Sequence, residues 1–335
     1  MKAPSMSRAK IGASPADLGR RLLVRHRLDS MGMKHQESVG VLDRWSGTGK
    51  EGILRLRQRD GFMMRVDLDD VDAIRVLPPE TSAFDLQEVA EASWPAREFD
   101  DMGRWRMRWT DGVTTGANSV RVGGSPGRAT TSALERVTKW YRERGGMPML
   151  QVPSPSAYDE VIESAGWTVH RTSIMLVNST SRLLTTTEAA ADRSEVVVSL
   201  SSTPDDQWWS LVRDYSPQTE QEFRDVLLGT PERVFASCTA AESGELLGIG
   251  RGTLVSGWAG ATSMETAPHA RRRGVASSIM AALARWSADM AVEQWFLQVF
   301  TQALPALSLY DSLGFTEHHR YAYRQLLEAP DNAAV

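Results

Sequence analysis

The chain has 335 residues, 41% apolar and 24% charged, with a net charge of −4. That length suggests two or three domains with ordinary globular cores. The slight acidity leaves no electrostatic footprint for nucleic acid or an anionic membrane, so neither is an expected partner.

The single cysteine, Cys238, excludes an internal disulfide and argues against thiolate metal sites. It reads as a small buried hydrophobe in a strand-like stretch. The first residues carry positive charge but no apolar stretch of a signal peptide. No apolar run nears the roughly 20 residues that span a bilayer. A cytoplasmic location is the expectation.

In chain order, residues 1–14 are small and polar and are expected to be disordered, as are residues 329–335. Residues 15–79 alternate apolar with polar at period two in RLLVRHRL, SVGVLDRW, GILRLRQRD and MMRVDLDD. Ser46-Gly47-Thr48-Gly49 and Asp60-Gly61 punctuate them, and Val71 to Val76 is a last strand. Short strands without a helix predict a small closed or half-closed β-barrel, followed by a linker at Pro78-Pro79-Glu80.

From Phe84 the period changes. Helices are predicted over Phe84–Trp94, Thr131–Arg144 and Ser156–Ala165. Strands are predicted over Arg104–Arg108, Val120–Val122, Met147–Val152 and Thr168–Val177. The Thr/Ser/Ala-rich run from Asn178 to Glu195 reads as an exposed connection. Further on, helices are predicted over Gln207–Asp214, Glu220–Leu228, Val275–Met290 and Pro305–Leu313. The strands of that half are Val234–Ala241, Leu246–Leu254, Trp258–Glu265, Gln294–Val299 and Thr316–Leu326.

Two segments repeat. Trp140 corresponds to Trp286, Leu150-Gln151-Val152 to Leu297-Gln298-Val299, and Gly166-Trp167 to Gly314-Phe315. The spacings agree within about one residue, so residues 80–178 and 181–328 read as two copies of one α/β fold.

The sharpest local feature is Arg271-Arg272-Arg273-Gly274-Val275-Ala276, after a strand and opening an amphipathic helix. Val275, Ile279, Leu283 and Trp286 share one helical face. A small turn at a helix N-terminus aims free N–H groups and the positive end of the dipole at one point. Three arginines add charge-assisted donors, and Gly274 permits close approach of the backbone. That combination suits a pyrophosphate.

This loop, together with Pro305-Ala306-Leu307-Ser308-Leu309-Tyr310-Asp311-Ser312-Leu313-Gly314-Phe315, resembles the GNAT superfamily of N-acetyltransferases. The loop fits (Gln/Arg)-x-x-Gly-x-(Gly/Ala), and the second motif is similar to the superfamily's helix and strand ending in Leu-Tyr and Gly-Phe. The whole chain resembles a bacterial group with a small SH3-like barrel ahead of two acetyltransferase-like units. The resemblance implies an α/β fold with a mixed sheet, acetyl-CoA as co-substrate, no metal, and a small-molecule or protein amine as acceptor. It implies direct attack of the neutral amine in a ternary complex.

By the same match, Met264, Glu265 and Thr266 would hold the pantetheine arm, and Arg271 to Ala276 with Ser277 the pyrophosphate. Tyr310 would protonate the departing thiolate; a phenol stays protonated at neutral pH. Glu265 is the candidate base, with an outward-facing strand carboxylate as the alternative. Tyr310 as a core residue and Arg271–Arg273 as a solvated turn are the corresponding bland readings.

Departures stand beside the match. Phe300 and Ala303 occupy positions where the family usually has an acidic residue and an Asn. In the first copy the loop position holds Val122-Gly123-Gly124-Ser125-Pro126-Gly127-Arg128, and Ile162 stands at the Tyr310 position. Residues 80–178 therefore read as a degenerate unit, and 181–328 as the active one. Trp105, Arg106, Arg108 and Asn118 are candidates to face a shared cleft. Trp208, Trp209 and Tyr215 are either pocket or core. His269 reads as a loop residue at the mouth. His318 and His319, adjacent on a strand, are expected to face opposite ways and form no metal pair.

Two other functions fit the residues: a non-catalytic acyl-CoA-binding regulatory module, and an interaction protein using the barrel. The acceptor's identity and the oligomeric state stay open.

Overall fold

The computed structural model describes residues 10–18, 20–28, 35–47, 52–58, 62–77, 81–191, 195–212 and 219–326. Most of the expected disordered ends, the linker at Pro78–Glu80, and Tyr215 lie outside the described residues. The chain divides into two compact units, residues 1–81 and 82–335.

The first unit is one six-stranded sheet: β1 (Lys10–Gly12), β2 (Arg21–Arg27), β3 (His35–Ser46), β4 (Ile53–Arg57), β5 (Met63–Asp67) and β6 (Val71–Leu77), in the order β1-β6-β2-β3-β4-β5. The period-two pattern sets the faces. Leu54 and Leu56 are buried while Arg55 and Arg57 are exposed. Leu22, Val24, Leu42, Leu54, Leu56, Val66, Val71 and Ile74 form one core, so the sheet curls over its own apolar face. Among the described residues no ladder joins β5 to β1, and the curl is open rather than a closed barrel.

The second unit runs α1 (Ala83–Ser93), β7 (Glu98–Met102), β8 (Trp105–Trp109), β9 (Val120–Arg121), α2 (Thr130–Arg142), β10 (Met149–Ser154), α3 (Asp159–Ser164) and β11 (Trp167–Ser179). It continues with α4 (Thr180–Ala191), β12 (Val196–Ser201), α5 (Asp206–Leu211), α6 (Glu220–Leu228), β13 (Arg233–Ala240), β14 (Leu246–Val255) and β15 (Trp258–Thr266). It closes with α7 (Val275–Asp289), β16 (Gln294–Phe300), α8 (Leu304–Ser312) and β17 (Thr316–Leu326).

All eleven strands share one mixed sheet, ordered β12-β13-β14-β15-β16-β11-β17-β10-β9-β8-β7. The centre is a reciprocal exchange. β11 lies between β16 and β17, and β17 lies between β11 and β10. Gln151 of β10 pairs with Tyr323, and Gln298, at the repeat-equivalent position of β16, pairs with Met175. The same shift of about one repeat relates both registers.

The two largest cores form around α2 and around α7. Trp105, Val137, Trp140, Tyr141, Leu150 and Ile162 pack around α2. Val275, Ile279, Leu283, Trp295, Leu297 and Tyr310 pack around α7. Each fully buried aliphatic side chain contributes about 1.5–3 kcal/mol. α7 approaches β14 closely because Gly248 and Gly250 carry no side chain. A Cβ on Gly248 would lie 2.5 Å from Val275 Cγ1, and one on Gly250 2.7 Å from Ile279 Cγ2.

The segment expected to be an exposed connection after Asn178 is a helix, α4. Its threonines are accommodated by back-bonding: Thr185, Thr186 and Thr187 Oγ1 donate to the carbonyls of Ser181, Arg182 and Leu183 at 3.1, 3.1 and 2.7 Å. Leu183 is fully buried and joins the α7 core. Strands β7 and β12 are further elements that the sequence reading passed over.

Candidate active site

The Arg271–Gly274 turn leads straight into α7. Gly274 is the N-cap, with φ +82°, and no side chain caps the helix. Arg272 also lies in the left-handed region, at φ +63°. The Gly274 carbonyl accepts from Ser278 N–H at 2.9 Å, which starts the helix. The N–H groups of Val275, Ala276 and Ser277 belong to the first turn, which has no intrahelical acceptors. Arg271, Arg272 and Arg273 are exposed and form no ion pair with any described residue. Val275 is buried and anchors the turn, while Ala276 and Ser277 are half-exposed. The arrangement is an uncapped, positively charged helix N-terminus.

The strand that feeds this turn is irregular. β14 and β15 pair Arg251 with Thr262 and Ile249 with Glu265, so β15 carries one extra residue there. Ser263, with φ +50°, forms the bulge. Met264 turns its side chain inward, its Sδ 2.6 Å from where a Gly250 Cβ would stand. Glu265 is half-buried and engaged within the protein, and Thr266 pairs with Gly248.

On its other side β15 pairs with β16 only from Trp258–Gln294 to Ala261–Leu297. Beyond that pair the two parallel strands part. A cavity of about 380 Å³ opens at the gap, lined by Thr262 and Ser263 of β15 and Gln298, Val299 and Phe300 of β16. Its remaining walls are Ala261 of β15, Phe296 of β16, Ser93 and Trp94 at the end of α1, the Thr114–Gly116 turn, Arg171 and Ser173 of β11, and Tyr321 and Tyr323 of β17. A larger groove, about 780 Å³, follows α2 and contains none of the turn or gap residues.

Tyr310 lies on α8, buried, its ring edge-on to Phe315 at 5.6 Å. Burial pushes its phenol up to about 12. Its hydroxyl has no hydrogen bond to another described residue. Phe300 is held under the Arg171 guanidinium at 4.3 Å, and Thr301 bonds to Thr172 at 2.8 Å between hydroxyls. Ala303 is the N-cap of α8 and makes no side-chain cap bond. The segment that departs from the family pattern is thus tied to β11.

Several expectations are corrected. Trp105, Arg106, Arg108 and Asn118 do not line the cavity. Trp105 is core; Arg106 pairs with Asp101 and Glu91; Arg108 is buried against Ser119 and Gln151; Asn118 holds the Thr110–Thr114 turn. The first copy reaches the cavity instead through Trp94, Thr114–Gly116, Arg171 and Ser173. Their signal in the sequence was nil, because they come from a helix end, a turn and an exchanged strand.

His318 and His319 do not face opposite ways. β17 is irregular there, and their Nδ1 atoms are 2.8 Å apart. Trp208 and Trp209 are core residues. Cys238 is fully buried, and burial pushes its thiol up to about 11, as suits an inert hydrophobe. His269 sits in an exposed turn and pairs with Glu245 at 3.0 Å. No helix among the described residues is long and apolar enough to cross a membrane.

A parted pair of parallel strands, a bulge and an uncapped helix N-terminus define an acetyltransferase of the GNAT type. Residues 81–324 match the family described as "Probable histone acetyltransferase Rv0428c C-terminal", and the chain belongs to that family. It is similar to the "Uncharacterized N-acetyltransferase YobR" of Bacillus subtilis, 23% identical over 244 residues, covering 70% of this chain and 96% of that protein.

Two solved structures share the fold. One is a GCN5-related N-acetyltransferase from Kribbella flavida, 12% identical, covering 74% of this chain and 96% of that chain, with a TM-score of 0.54. The other is a tandem GNAT protein from the clavulanic acid biosynthesis pathway, also 12% identical, covering 75% and 91%, with a TM-score of 0.54.

Proposed function

We propose that the chain transfers the acetyl group of acetyl-CoA to an amine, with residues 181–328 as the active copy and 80–178 as a copy without cofactor binding. The observation that carries this reading is the uncapped N-terminus of α7 with three arginines that pair with no described residue, fed by the bulged strand β15 beside the gap to β16. Arg271 to Ala276 and Ser277 hold the pyrophosphate. The backbone of Met264, Glu265 and Thr266 lines the pantetheine arm. Acetyl-CoA supplies the thioester.

Tyr310 holds the proton that neutralises the thiolate; its raised pKa keeps the phenol protonated throughout the neutral range. Glu265 is the candidate base, next to the bulge. The symmetric registers of β10–β17 and β16–β11 support the tandem reading.

Thiol release from acetyl-CoA with an amine panel tests this. Tyr310→Phe is expected to lower kcat about 100-fold or more while acetyl-CoA Kd, by titration calorimetry, stays within about threefold. Binding of acetyl-CoA with no thiol release on any amine would instead assign the chain to non-catalytic acyl-CoA binding, the reading that Phe300 and Ala303 favour.

A further inference from the structure

The cavity beyond the last β15–β16 pair has an unusual balance of groups. Its walls are aromatic: Trp94, Phe296, Phe300, Tyr321 and Tyr323. Among the described residues its one charged lining residue is Arg171, and no carboxylate lines it. Arg171 stacks on Phe300 and forms no ion pair with a described residue. Its guanidinium donors are therefore available at the rim.

Behind the wall stands a second guanidinium. Arg251 is fully buried. It donates to the carbonyls of Leu227 and Ser93, each at 2.9 Å, and to the hydroxyls of Thr230 and Thr262 at 3.1 and 3.2 Å. It has no carboxylate partner among the described residues. Thr262, its acceptor, is itself a wall of the cavity.

Two cationic groups without a counter-ion among the described residues, at an aromatic box of low dielectric, set a positive potential. A lysine-rich peptide or a polyamine brings further positive charge and meets repulsion. A flat apolar body with one carboxylate satisfies both features, since guanidinium binds carboxylate in bidentate geometry and aromatic rings pack edge to face.

We infer that the acceptor is a small primary amine bearing an aromatic body and a carboxylate, with the carboxylate at Arg171 and the amine directed to the gap between Thr262 and Gln298. This rests on the acetyl-transfer reading of the same site. The nearby guanidinium charges also favour the unprotonated amine, the form that attacks an acyl carbon.

The test compares L-phenylalanine with phenethylamine and L-tryptophan with tryptamine, with a lysine-rich peptide as a third arm. Thiol release and titration calorimetry are both measured on the acetyl-CoA-loaded full chain. The acids are expected to exceed their decarboxylated partners about tenfold or more in kcat/KM or in affinity. Arg171→Gln is expected to bring that ratio near one, and Arg171→Lys to retain part of it.

An acid-to-amine ratio near one in the unaltered protein, a ratio unmoved by Arg171→Gln, a preference for the peptide, or no binding of either acid would overturn the inference. If the acids bind in an Arg171-dependent manner but no thiol is released, the cavity's ligand class stands while the transfer reading, and with it the acceptor role, fails. If thiol is released and the acids have no advantage, the reverse holds.

Discussion

The two helix N-termini that correspond in the internal repeat of the sequence, at α2 and at α7, differ in the loops that lead into them. Before α7 the turn is open: its N-cap residue, Gly274, brings no side chain, and three arginines are exposed. Before α2 the equivalent turn is filled. The Ser125 carbonyl accepts from Arg104 N–H at 2.8 Å, and the Gly124 carbonyl accepts from Trp105 Nε1 and the Tyr158 hydroxyl, both at 3.0 Å. Gly123 lies so close to the Arg104 carbonyl that a Cβ there would be 2.2 Å from it. The β7–β8 hairpin thus packs on the backbone of Gly123 to Ser125, whereas Gly127, Arg128 and Ala129, next to the start of α2, are exposed. The difference between the two turns lies in the loop that leads into the helix, not in the helix end itself.

Substitutions can break that comparison. The largest effect is expected from Gly274→Val. A β-branched residue at φ +82° costs about 1–3 kcal/mol locally, and its side chain stands in the open turn. Acetyl-CoA affinity is expected to fall about 100-fold or more in calorimetry, with the fold retained by circular dichroism. Arg272→Gln comes next: loss of one charge-assisted contact predicts roughly tenfold weaker binding and a shallower salt dependence. The matching change in the filled turn, Arg128→Gln, is expected to leave that affinity within about twofold. A comparable loss from Arg128→Gln would mean that both turns bind the cofactor.

The smallest effect concerns pH. The folded pKa of Tyr310 is raised to about 12, above the ordinary 10. Its contribution to stability is complete below about pH 10 and fades as pH rises toward 12. The stability difference between the unaltered chain and Tyr310→Phe, read by denaturant melts, is expected to shift against the tyrosine across that window. Tyr321 and Tyr323 move the same way in both proteins and cancel in the difference.

Much of this architecture was legible in the sequence. Period-two alternation placed the strands of the first unit, and helical spacing placed α2 and α7. Two short motifs located the turn and Tyr310. What was illegible has physical causes. α4 was hidden because threonine favours non-helical backbone until its hydroxyl bonds the preceding turn. The cavity walls were hidden because Arg171 and Ser173 meet Phe300 only through an exchanged strand, which no local pattern reports. The paired imidazoles of His318 and His319 were hidden by an irregularity in β17 that defeats strict alternation. A seam left open between β1 and β5 is likewise a matter of closure, which strand patterning does not encode.

The exchange of β11 and β17 has a consequence for residues 80–179. A polypeptide starting after residue 179 would keep the arginine turn and Tyr310, yet lose the strand that separates β16 from β17. Both edges of β17 and one edge of β16 would be bare, with their ladder donors and acceptors unmet. The chemistry of one half is thus mortgaged to the backbone of the other. Residues 80–179 supply the strand at the centre of the sheet that residues 181–326 complete.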